Sequence, residues 1–74
     1  MLDDDFFEVL RANNIPEFKV SINNAIKDDV YCIRENYNQW EVFYRERGKE
    51  FNLKKFDTKE EAQNYLLNYL IRIR

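Results

Sequence analysis

The sequence predicts an α+β fold: a three-stranded antiparallel meander between an N-terminal and a C-terminal helix, in the order α-β-β-β-α, with the C-terminal helix packed on one sheet face. Three observations predict it. Ala62, Tyr65, Leu66, Tyr69, Leu70 and Ile73 recur at i, i+3, i+4, i+7, i+8 and i+11, which draws one apolar stripe along a helix. Residues 30–35 and 40–46 are rich in β-branched and aromatic side chains and are separated by the turn-forming run NYNQ. The only glycine, Gly48, then breaks the alternating stretch WEVFYRERGKEFNL and returns the chain for another strand.

Each element has a local cause. The aspartates at 3–5 can cap a helix and complement its N-terminal dipole, and Phe6, Val9, Leu10 and Asn13 follow helical spacing above Leu2. Residues 4–13 therefore read as a short amphipathic helix, ended before Pro16. Phe18 to Ile22 alternates and suggests a short strand; NNAIKDD follows as a loop. A tight turn at Tyr37-Asn38 sets Arg34 opposite Glu41, Ile33 opposite Val42 and Tyr31 opposite Tyr44. A three-residue loop would set Arg34 opposite Trp40. The tight turn matches charge with charge and apolar with apolar, each pair contributing roughly 0.2–1 kcal/mol.

Gly48-Lys49 fits a two-residue hairpin loop with glycine first, which sets Arg47 opposite Glu50 and Tyr44 opposite Leu53. Asp57 and Glu60 have capping-box spacing for the last helix, with Arg72 and Arg74 near its negative pole. The helix stripe should lie on the face carrying Tyr31, Ile33, Trp40, Val42, Tyr44, Phe51 and Leu53. The other face would then carry Val30, Cys32, Arg34, Glu41, Phe43, Arg45, Asn52 and Lys54. Either the first helix covers part of that second face, or its apolar centre of Val30, Cys32 and Phe43 is an interface.

Seventy-four residues form one domain, 1–74, and a chain of this length buries only about 60% of its unfolded surface. Six Phe, five Tyr and one Trp supply the apolar area it needs. Net charge is −2, divided as seven acids against three bases in residues 1–30 and seven against nine in residues 31–74. A single cysteine excludes an internal disulfide framework, and MLDDDFFEVL has neither the basic nor the apolar region of a secretion signal. No apolar run is long enough to span a bilayer, so a membrane partner is not expected. A cytoplasmic protein is.

Catalysis has little to work with. There is no histidine, the usual general base near neutral pH, and one glycine cannot build a phosphate-cradling loop. Cys32 in mid-strand reads as a small packed residue, and Asp3-Asp4-Asp5 as a helix cap rather than a cation site. No enzyme, cofactor or metal is expected. The order α-β-β-β-α is also that of double-stranded RNA-binding domains, which grip phosphates with lysines at the start of their last helix. Here that segment is DTKEEAQ, with three acids and one lysine, and the acidic balance removes long-range attraction to nucleic acid. Protein binding remains. Candidate contacts are Asp4 and Glu8 on the acidic helix, Arg34, Glu41, Phe43 and Arg45 on the second sheet face, Tyr37 at the first turn and Arg47 at the next.

The motifs Cys32-Ile33, Trp40, Val42, Tyr44, Glu46-Arg47-Gly48 and Glu60-Glu61-Ala62 with Tyr65-Leu66 carry a resemblance. Across about residues 30–70 the chain resembles the small immunity proteins of bacterial polymorphic toxin systems, in particular the immunity protein 59 type. Gln63 stands where that pattern has a second cysteine. The resemblance implies a stoichiometric inhibitor that binds a cognate toxin and occludes it, without turnover. Such toxins are often nucleases, and a basic nuclease would suit the acidic first helix. The alternative expectations are a generic interaction domain, or a homodimer formed through the Phe43 face.

Overall fold

The computed structural model describes residues 2–23 and 28–73. Residues 24–27 of the loop expected at 23–29, and the dipole role of Arg74, fall outside these residues. Helix α1 spans Asp3–Ala12; a 3-10 turn at Glu17–Lys19 leads into β1 (Val20–Ile22); then follow β2 (Val30–Asn36), β3 (Gln39–Glu46), β4 (Lys49–Phe56) and α2 (Lys59–Ile73).

The α+β class holds, but the three-stranded antiparallel meander is corrected to a four-stranded mixed sheet, in the order β1-β2-β3-β4. β1 lies within the stretch Phe18 to Ile22 read as a short strand, but it runs parallel to β2, with Val20 opposite Tyr31 and Ile22 opposite Ile33. A parallel neighbour ordinarily needs a crossover of about a dozen residues. Here β1 has only three residues, about 10 Å of strand, and pairs with β2 at three positions.

The β2–β3 hairpin adopts the charge-matched register: Arg34 faces Glu41, Ile33 faces Val42 and Tyr31 faces Tyr44. Its two turn residues, Tyr37 and Asn38, have φ of 50° and 63°, the mirror-image turn whose twist suits a hairpin.

The next turn is one residue earlier than expected. Arg47 and Gly48 form it, with φ of 51° and 76°, so Arg45 faces Glu50 and Tyr44 faces Phe51. Both loop positions need positive φ in this turn, and the glycine takes the second. Gly48 serves its backbone angle rather than space, because a Cβ there would meet nothing within 4 Å. The register then shifts between Val42 and Tyr44, where β4 carries an extra residue, Asn52, at φ 56°. Beyond this bulge Val42 faces Lys54 and Glu41 faces Lys55. Lys54 therefore joins the helix-covered face, and Leu53 the opposite one, contrary to the sequence reading.

Both helices lie on the same face. Phe6 and Leu10 of α1, Leu66, Leu67 and Leu70 of α2, and Ile33 and Val42 of the sheet form one buried core with Ile15, Val20 and Ala62. The first helix thus does not cover the second sheet face. Its presence beside α2 also explains why Gln63 and Leu67, off the expected stripe, are buried, while Tyr69 and Ile73 stay 36% and 54% exposed. Cap positions differ as well. Leu2 is the N-cap of α1, leaving the three aspartates within its first turn. On α2 the box is Thr58 with Glu61, not Asp57 with Glu60: the Glu61 N–H donates to Thr58 Oγ1 at 3.1 Å, and that hydroxyl donates to Glu61 Oε1 at 3.0 Å.

Candidate functional site

Among the described residues no helix lies on the second sheet face. Its apolar centre, Val30, Cys32 and Phe43, is nonetheless 4% exposed or less. Charged side chains provide part of the lid. The Arg34 guanidinium sits 4.5 Å above the Phe43 ring centre, donates to Glu41 Oε1 through Nε and Nη2 at 3.0 and 2.6 Å, and donates to Glu50 through Nη1 at 2.7 Å. Asn36 reaches the other Glu41 oxygen at 3.3 Å. Burial pushes the Glu41 carboxyl up, but the hydrogen bonds from Arg34 and Asn36 and the charges of Arg34 and Lys55 outweigh it, holding the group below the usual carboxylate range. Nearby, Asp28 Oδ1 accepts from Arg45 Nε at 3.3 Å and from the Gly48 N–H at 3.0 Å.

This network places four of the sequence-predicted contacts together: Arg34, Glu41, Phe43 and Arg45. It also occupies them. Phe43 is 1% exposed, so it presents no ring to a second copy of the chain, and Arg34 is committed to two carboxylates. Cys32 is buried, which raises its thiol pKa and keeps it a packed, protonated group. Gln63, buried in the helix layer, lies across the sheet from Cys32, so a cysteine at 63 would not pair with it.

The remaining contacts divide between the two ends of the sheet. Arg47 is at the β3–β4 turn and Tyr37, 94% exposed, is at the opposite end in the β2–β3 turn. The Tyr37 end is also where β4 runs into α2, because Phe56 pairs with Trp40 and Lys59 sits 5.5 Å from the Trp40 ring centre. The start of α1 joins it: Asp3 Oδ1 accepts from Lys59 Nζ at 2.7 Å and from Gln63 Nε2 at 3.3 Å. The first turns of both helices therefore meet at one end of the molecule. Asp4, Asp5, Glu8, Asp57, Glu60 and Glu61 are all exposed there or on the adjoining turns.

Sequence reasoning missed a further feature, a trough along the flank of α2. It consists of two cavities of about 360 and 310 Å³ that share Tyr31 and Tyr44 as walls. Tyr65, Leu66 and Tyr69 wall the first with Asn52 and Lys54; Leu70 and Ile73 wall the second with Ile15, Pro16, Lys19 and Asp29. The tyrosines form a connected series, with ring centres 4.8 Å apart for Tyr31 and Tyr44, 5.7 Å for Tyr31 and Tyr69, and 6.4 Å for Tyr65 and Tyr69. The signal was in the stripe itself: tyrosine rather than leucine at 65 and 69 marks ground where one side of the ring stays wet.

No protein family, curated protein or solved structure matched the chain.

Proposed function

We propose that this protein is a stoichiometric, non-enzymatic inhibitor of the immunity-protein kind, which binds the basic surface of a bacterial toxin through its acidic end in the cytoplasm. The observation that carries the reading is the meeting of two acidic helix starts, joined by the contacts of Asp3 with Lys59 and Gln63. Carboxylates from distant parts of the chain then act as one field, which raises the encounter rate with a cationic partner. Tyr37, fully presented at the same end, supplies an aromatic anchor beside that field. A toxin that cleaves nucleic acid is the natural target, because its phosphate-binding groove is basic. Acids at the start of α2 weigh against nucleic acid as this protein's own ligand.

Self-association gains no comparable support. The ring that would mediate it, Phe43, is 1% exposed. The experiment is a C-terminally tagged pull-down from the native cytoplasm at moderate salt, followed by toxin assays with the purified pair. One partner at fixed stoichiometry, inactive while bound, is the expected result. The variant D4K/E8K should then associate about tenfold more slowly and with a flatter salt dependence. Recovery of the protein alone, or with RNA, rejects the reading; unchanged rates remove the acidic end from the interface.

A further inference from the structure

We draw no further inference here: the strongest candidate, the tyrosine-walled trough along the flank of α2, carries nothing because nothing in the structure shows what covers it.

Discussion

Ile33 and Val42 face one another across β2 and β3 on the helix-covered side of the sheet; one residue along, Arg34 and Glu41 face one another on the other side. The first pair is sealed by Leu66 and its neighbours, the second by its own charges. Apolar packing needs no direction and scales with area removed from water, about 1.5–3 kcal/mol for a leucine or isoleucine side chain. The ionic lid depends on direction. It compensates the burial of Glu41 only while Arg34 holds its place over Phe43. Both helices on one face and, among the described residues, none on the other thus give a molecule whose stability comes mainly from one side, while the other side is ordered mainly by charge.

The comparison breaks most severely at Leu66. Leu66, 1% exposed, stands between both helices and the sheet, and L66A should cost about 3 kcal/mol or more in denaturant melts. That is a large part of the roughly 4–11 kcal/mol available to a chain of this size. A loss under about 1 kcal/mol would mean the helix layer relaxes freely and the asymmetry between faces is wrong.

On the other face the decisive substitution is R34M, which keeps the stem over Phe43 and removes the charge. It leaves Glu41, 3% exposed, without its main partner. The cost should be about 2 kcal/mol at neutral pH, less than the about 3–5 kcal/mol of a fully buried pair because the Arg34 side chain is 29% exposed. Acid separates this from lost packing. In the native chain Glu41 titrates below its ordinary value, so its contribution is whole above that value and is lost as pH falls through the lower, folded one. In R34M burial would be less opposed and the folded value would rise, so acidification below about pH 5 should relieve part of the penalty. Melts of the two proteins from pH 7 to 3 should therefore converge. The double variant R34M/E41L should recover most of the loss at neutral pH; parallel pH curves would show that the lid works by shape rather than by charge.

How far the sequence could be read follows from the same contrast. The β2–β3 register was legible because its pairs are chemically matched in only one alignment, with Arg34 on Glu41 and Ile33 on Val42. The alternation from Phe18 to Ile22 announced a short strand where β1 lies, but nothing local announces its parallel pairing with Tyr31, Cys32 and Ile33. The placement of α1 was equally hidden. Phe6 and Leu10 require a partner, but the residues that supply it, Leu66, Leu67 and Leu70 of α2, lie far along the chain, and nothing local names them. Of the candidate contacts, the sequence grouped Arg34, Glu41, Phe43 and Arg45 correctly on one face. It also matched Arg34 with Glu41, but not the second carboxylate on Arg34, Glu50, sixteen positions away, nor Asp28 as the partner of Arg45. The bulge at Asn52 hid the trough, since it moves Lys54 onto the face that the alternation gives to Leu53.

The smallest effects lie in the two turns, and their signs are informative. Both hairpins place two residues at positive φ, but the first uses Tyr37-Asn38 and the second Arg47-Gly48. Gly48 has open space around its missing Cβ and φ of 76°, so G48A should destabilise by about 1 kcal/mol through backbone angle alone. Asn38 occupies the corresponding second position at φ 63°, where glycine is favoured, so N38G should stabilise by a few tenths of a kcal/mol. These two signs hold for either register, so the turn is fixed by its neighbours, Arg47 and Lys49. If glycine stood first, at Gly48-Lys49, then K49G would be tolerated and R47G would gain nothing. In the observed turn R47G relieves a positive φ at Arg47, whereas K49G breaks the strand pair with Glu46. Urea midpoints of these four variants distinguish the two registers without reference to any partner.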